Sequence, residues 1–132
     1  MPRKREFAEI DDRMRVTHMR NAAGDAVFFA KGRSREHLDS DRMLLRALIN
    51  CVQEIGEAAS RMTDEGRKRV SNLPWGQIVG MRHILVHLYD RIDLDAVWSV
   101  VVNDLPPLIE ATDAALNAWP EPPAPPAPKP SR

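Results

Sequence analysis

The chain has 132 residues, 43% of them apolar and 29% charged, which suits one domain with a sizeable core. Nineteen basic residues balance nineteen acidic ones, so no strong overall field exists and any nucleic-acid contact must be local. No apolar run approaches the roughly 18 residues of a membrane span, and no apolar signal core opens the chain. We therefore expect a soluble, cytoplasmic protein in which Cys51 is a buried, unpaired thiol.

A long amphipathic helix is predicted from about Glu6 to Phe29, because apolar residues recur there at helical spacing. These positions are Phe7, Ile10, Met14, Ala22, Ala26 and Phe29. Gly32 can end this helix. In the turn that follows, Ser34 is placed to cap a short helical turn, and Asp39 or Ser40 to cap the next helix.

The second predicted helix runs from about Asp41 to Met62 and has the clearest apolar stripe in the chain. Its members are Leu45, Leu48, Val52, Ile55, Ala59 and Met62. Gly56 would let a neighbouring backbone approach closely, although glycine costs about 1 kcal/mol in a helix. This pattern predicts a helix packed along its length in an up-down antiparallel bundle.

Thr63 is predicted to cap a short turn through Val70. Arg67, Lys68 and Arg69 make a basic run within it. Such a run is usually a solvated face, and its alternative role is to steer phosphates.

Pro74 suits the first position of a helix that should reach about Tyr89. Asp93 is then expected to cap the last helix, which Pro106 and Pro107 should kink or divide. The apolar stripe of that helix is Val97, Val101, Leu105 and Leu108. We predict a helical domain over residues 1–119 and a disordered Pro-rich tail over 120–132.

The helix after Pro74 carries Arg82, His87 and Tyr89 in the pattern R-x-x-x-x-H-x-Y. At about 100° per residue, Arg82 and Tyr89 lie within roughly 20° of each other, whereas His87 is about 140° from Arg82. A long arginine can bridge that angle, and so can the arginine of a second copy in a two-fold dimer. The spacing favours a homodimer.

Arg82 and His87 suit the cleavage of RNA without a metal or other cofactor. An imidazole can take a proton from the ribose 2′-OH or give one to the leaving 5′-oxygen, and a guanidinium can hold the phosphate charge. DNA lacks that internal nucleophile.

At these residues the chain resembles the HEPN superfamily, and within it the HepT-like toxins encoded beside a small nucleotidyltransferase antitoxin. The likeness runs from about Phe7 to Trp119 and includes LLRALINCVQEIGEAASRM, LPWGQIVGMRHILVH with the following H-L-Y, and IDLDAVWSVVVNDLPPLIEA. The resemblance implies a metal-independent endoribonuclease that acts as a homodimer, with the motif arginine and histidine catalytic. It also implies that the cognate transferase silences the toxin by attaching nucleotide to Tyr89. His83 stands where such proteins often have asparagine, and we consider it for substrate binding.

Two other interpretations stay open. His83 and His87 are four residues apart on a predicted helix and could share a metal ion in a bundle hydrolase, although Ile84 replaces the glutamate of H-E-x-x-H. Alternatively the bundle is not an enzyme and only binds a partner protein.

Overall fold

A computed structural model of the chain describes residues 2–83, 93–120 and 130, and all regular elements in those ranges are helical. They are α1 (Pro2–Ala30), α2 (His37–Ser40), α3 (Arg42–Ser60), α4 (Asp64–Lys68), α5 (Trp75–Gly80), a 3₁₀ turn (Met81–His83), α6 (Leu94–Ser99), a π-helical segment (Val100–Asp104) and α7 (Leu105–Asn117). The predicted all-α class is confirmed. Most of the Pro-rich tail lies outside the described residues, so the domain boundary after residue 119 stays a prediction.

The bundle is built around α1, which packs most extensively against α3 and α7. Asp12, early in α1, contacts Thr63, just beyond the end of α3, so those two helices run antiparallel. Arg20 pairs with Asp113 at 2.8 Å, whereas Val27, further along α1, shares a groove with residues at the start of α7. Helix α7 is therefore also antiparallel to α1. Among the helices described, none is long and apolar enough to cross a membrane.

The buried face of α1 matches the predicted stripe only in part, since Ala22 and Ala26 are buried as predicted. Met14 and Phe29 are 50% and 41% exposed, while the buried positions follow a three-and-four spacing through Val16, Met19, Ala23, Ala26 and Ala30. Small alanines let both α3 and α7 approach the helix closely, and this two-sided packing selects the buried face. The larger apolar residues are left at the surface, where apolar atoms are common.

The predicted stripe of α3 is confirmed. Leu48, Val52, Ile55, Ala59 and Met62 are all buried, and Leu45 is half-buried against the same core. Cys51 is a buried free thiol, as expected.

The predicted caps before α3 are wrong. Asp39 and Ser40 belong to α2, and Asp41 caps α3 instead, accepting from the Leu44 N–H at 3.1 Å. Asp41 has an extended backbone between the two helices, the conformation that an N-cap requires. Ser34 caps no helix with its side chain, since α2 has Glu36 in the cap position without a side-chain bond.

Other helix boundaries agree with those predicted from the sequence. Gly32 follows α1 with a φ of 73°, which fits a glycine that ends a helix. Thr63 caps α4 by accepting from the Gly66 N–H, and Asp93 caps α6 by accepting from the Ala96 N–H, both at 3.0 Å. Pro106 and Pro107 lie in the first turn of α7, where a missing N–H is no loss, and the π-helical segment precedes them. The last helix thus changes to π-helical geometry just before the prolines, while residues 94 to 117 stay helical throughout.

Candidate functional site

Arg82 lies in the 3₁₀ turn Met81–His83, directly after α5. The Met81 N–H donates to Ile78 O, three residues back, so the continuous α-helix predicted from Pro74 ends at Gly80. A 3₁₀ turn advances about 120° per residue, which alters the angles expected from an ideal α-helix. His87 and Tyr89 lie outside the described residues, so their predicted angles from Arg82 stay predictions.

The 3₁₀ turn meets α3 backbone to backbone at Gly56. Gly56 is buried, and a Cβ built on it would overlap the Arg82 amide nitrogen and stand 3.0 Å from both Cα and Cβ of Arg82. Only a glycine leaves room for this approach. The close approach predicted from Gly56 is therefore confirmed, and its partner is the motif arginine.

The guanidinium of Arg82 is oriented by the next residue. Its Nε donates to His83 Nε2 at 3.1 Å, so that imidazole nitrogen acts as the acceptor. Arg82 is half-buried and His83 is exposed. The two side chains form one polar unit at the end of α5, in which His83 contacts the arginine that we consider for catalysis.

This contact weakens the metal interpretation. His83 Nε2 is occupied by a donor, and a cation bound there would lie beside the positive guanidinium of Arg82. His87, the second histidine of that interpretation, lies outside the described residues.

The start of α6, just beyond the motif, is also anchored to the bundle. Asp95, in the first turn of α6, accepts from Arg35 Nε at 2.5 Å, and Asp39 accepts from Arg35 Nη1 at 3.0 Å. The hydrogen bond to Asp95, assisted by Asp39, raises the pKa of Arg35 above its usual value. Arg35 thus ties the start of α6 to α2, while Gly56 ties Arg82 to α3. Residues 84–92 connect these two anchored points.

The basic run is solvated at Lys68 and Arg69, which are exposed as expected, whereas Arg67 is half-buried. Arg67 donates to Ala59 O at 3.1 Å, and its guanidinium carbon lies 5.6 Å from the centre of the Trp75 ring. Trp75 in turn donates from Nε1 to Val70 O at 3.0 Å. The half-buried Arg67 therefore joins the end of α3 to the start of α5, seven residues before Arg82. Arg69 similarly covers the ring of Trp119, at 5.2 Å.

Sequence reasoning missed a buried carboxylate, Asp12. Its side chain is almost inaccessible, at 3% exposure, and it accepts from the backbone N–H of Thr63 at 2.9 Å and from the Thr63 hydroxyl. A Cβ on Gly66 would collide with this carboxylate. The signal that could have revealed Asp12 is its position in the three-and-four spacing that continues through Val16 and Met19.

A surface cleft of about 390 Å³ between α1 and α3 lies away from the motif turn. Arg15, His18 and Arg61 line it together with two glutamates, Glu54 and Glu57. Glu54, Glu57 and Arg61 point away from Gly56, because each is rotated from it about the axis of α3 by roughly 100° to 160°. Arg82 is not among the residues that line this cleft, so the cleft is not part of the candidate site.

Comparisons with known proteins agree with the geometry. The family model described as "Ribonuclease HepT-like" matches residues 19–115. A Methanocaldococcus jannaschii protein named "Putative RNase MJ1380" is 33% identical over 85 residues, which is 64% of this chain and 78% of that protein. "Putative RNase TTE0752" of Caldanaerobacter subterraneus subsp. tengcongensis is 35% identical over 78 residues, covering 59% of this chain and 70% of its own. "Probable ribonuclease HepT" of Thermococcus cleftensis is 29% identical over 68 residues, covering 52% and 62%. No solved structure gives a significant match.

The helical bundle with Arg82 and His83 at the end of α5 is of the HEPN class. Because the family match spans well over half of the residues, the chain belongs to the HepT-like ribonuclease family. The predicted enzyme class, an endoribonuclease acting on RNA, is confirmed through that family.

Proposed function

We propose that this chain is the toxin of a toxin-antitoxin pair and cleaves single-stranded RNA without a metal ion, with Arg82 and His87 as its catalytic residues. The observation that carries the proposal is the fixed position of Arg82. Its backbone is packed against Gly56 of α3, and its guanidinium donates to His83. An arginine held at both ends is preorganised to receive a phosphate.

In the proposed reaction the ribose 2′-oxygen attacks the neighbouring phosphorus and the bond from phosphorus to the 5′-oxygen breaks. The products are a 2′,3′-cyclic phosphate and a 5′-hydroxyl. His87 either removes the proton from the 2′-OH or supplies the proton that the 5′-oxygen gains. Arg82 stabilises the negative charge that builds up on the phosphate oxygens. His83 acts through Arg82, since its Nε2 accepts from that guanidinium.

RNA cleavage in EDTA tests this assignment. Arg82→Ala and His87→Ala should each slow cleavage about 100-fold or more, because charge stabilisation and proton transfer are each worth that much. Arg61→Ala is the matched control, since Arg61 is an exposed arginine paired with Glu57 at 3.2 Å on the other side of α3. Full activity of either site variant, or strict dependence on a divalent ion, would refute the assignment.

We further propose that the active species is a homodimer that shares its sites. The family resemblance supports this. Mixing inactive Arg82→Ala and His87→Ala chains should restore activity, because a mixed dimer then holds one intact site if the two residues act across the interface. Mixed dimers without activity would mean that each chain completes its own site.

Control of the toxin is assigned to Tyr89 and to a cognate nucleotidyltransferase antitoxin. A nucleotide on the phenolic oxygen would place a bulky, negatively charged phosphate close to Arg82, which could then bind it instead of RNA. We place the protein in the cytoplasm, where such a partner and RNA are both available, and the unpaired thiol of Cys51 suits that compartment. Residues 1–119 would form the catalytic domain and residues 120–132 a tail.

A further inference from the structure

Gly56 occupies the middle of α3, where glycine is a poor choice on local grounds. Replacing an interior helical glycine by alanine normally stabilises a helix. Gly56 avoids a collision with another part of the chain, since the atoms nearest to a Cβ at this position are N, Cα and Cβ of Arg82. The glycine therefore has a tertiary role that its helix alone does not explain.

The geometry points to Gly56 as the positioning residue for Arg82: its missing side chain sets how close the motif arginine lies to α3. This inference rests on the catalytic role proposed for Arg82. Real Cβ atoms essentially never come within 3.0 Å of a neighbouring heavy atom, and a Cβ here would stand well inside that distance from the Arg82 amide nitrogen, so alanine at position 56 must push the Arg82 backbone away. A displacement of about 1 Å in a catalytic group can cost roughly 100-fold in rate.

The backbone position of Arg82 matters because, among the described residues, its guanidinium is held only by its neighbour in the chain, not by another helix. His83, the acceptor for Arg82 Nε, is the adjacent residue and moves with the same 3₁₀ turn. When the turn shifts, the contact between the two side chains shifts with it and cannot restore the original place of the guanidinium. The position of Arg82 relative to the rest of the bundle is thus set at Gly56.

Two other helical glycines serve as controls. A Cβ on Gly76, in α5, meets no described atom within 4 Å, so Gly76→Ala adds helix propensity without a collision. A Cβ on Gly24, in α1, meets only the end of the Arg20 side chain, which can move aside. If Gly56 acts by backbone approach, its alanine variant should behave differently from both.

The test is a double-mutant cycle, measured as single-turnover cleavage of a single-stranded RNA oligonucleotide with excess enzyme in EDTA. Gly56→Ala should lower the maximal cleavage rate about tenfold or more. The enzyme concentration that gives half of the maximal rate should change by no more than about twofold, because RNA binding is not affected. Gly76→Ala and Gly24→Ala should stay within about twofold of the parent. In the Arg82→Ala background, Gly56→Ala should cost less than about threefold further, because the group that it displaces is already absent.

Parental activity of Gly56→Ala, while Arg82→Ala is inactive, would overturn this inference and leave the proposed function standing. A further tenfold loss in the double variant would also overturn it, because the glycine would then act independently of the arginine. An active Arg82→Ala variant would refute both together. If Gly56→Ala melts near the assay temperature, the cycle is run in the Gly76→Ala background, where added helix propensity offsets the collision.

Discussion

The carboxylate of Asp12 on α1 accepts hydrogen bonds from both the backbone N–H and the hydroxyl of Thr63, the residue that caps α4. The same hydroxyl accepts from the Gly66 N–H, so one buried acid organises the whole first turn of α4. From α4, Arg67 reaches both Ala59 and Trp75, next to the helix that leads to Arg82. A continuous set of contacts thus connects the N-terminal part of α1 with the motif turn.

Asp12→Ala should lower the free energy of unfolding by about 2 kcal/mol, because it leaves two part-buried donors of Thr63 without the carboxylate that accepts from them. Urea denaturation followed by circular dichroism measures this. Asp11→Ala is the matched control, since Asp11 is exposed and its loss should change stability by no more than about 0.5 kcal/mol. Equal effects of the two substitutions would show that the Asp12 contacts contribute nothing.

His83→Asn should keep RNA cleavage within about threefold of the parent, because an amide oxygen can still accept from Arg82 Nε. His83→Leu is close in size but has no acceptor, and it should lower the rate about tenfold by releasing the guanidinium. Steady-state cleavage of the same RNA by both variants makes the comparison. A fully active leucine variant would show that His83 does not orient Arg82.

Burial raises the pKa of the Cys51 thiol to about 11, and the charges of Asp25 and Glu54 add to the effect. An unfolded cysteine ionises near pH 8.5. Because the folded pKa is the higher one, stability does not depend on this group below about pH 8.5 and falls as the pH rises from there towards 11. At pH 8 a thiol reagent should modify the folded protein only at its unfolding rate, whereas urea-unfolded protein should react at once. Rapid labelling of the folded protein would contradict this burial.

Tyr89→Phe should retain RNA cleavage and escape inactivation by the cognate nucleotidyltransferase and ATP, because phenylalanine keeps the ring but lacks the acceptor oxygen. Intact-mass spectra after incubation with the transferase decide the point: the parent should gain AMP-sized additions and the variant none. The modified parent should keep its helicity while losing cleavage. Additions on Tyr89→Phe would place the modification elsewhere.

Features encoded within a few neighbouring residues were predictable. Thr63 and Asp93 were identified as caps because each is a good N-cap residue at a clear helix start, and the stripe of α3 fixed its buried face. The same reasoning did not identify the cap of α3, because Asp39, Ser40 and Asp41 are all good N-cap residues and stand side by side. Local preference does not separate them, and the short helix α2 decides the matter by including the first two.

Features that depend on tertiary contacts were not predictable. Arg67 belongs to a charged run that looks solvated, yet the fold places it against Trp75 and Ala59 O. Gly56 indicated that a neighbouring backbone could approach α3, but only the folded structure identifies that backbone as Arg82. The catalytic roles of Arg82 and His87 and the regulatory role of Tyr89 stay predictions from the sequence pattern.

Cleavage of an RNA oligonucleotide in EDTA, with the 2′-OH at the cut site replaced by 2′-O-methyl, tests the central claim most directly. If Arg82 and His87 promote attack by that hydroxyl, the parent RNA should yield a 2′,3′-cyclic phosphate and a 5′-hydroxyl, and the blocked position should not be cut at all. An unmodified neighbouring position in the same oligonucleotide is the internal control. Cleavage that continues at the blocked position, or products that carry a 5′-phosphate, would contradict the mechanism.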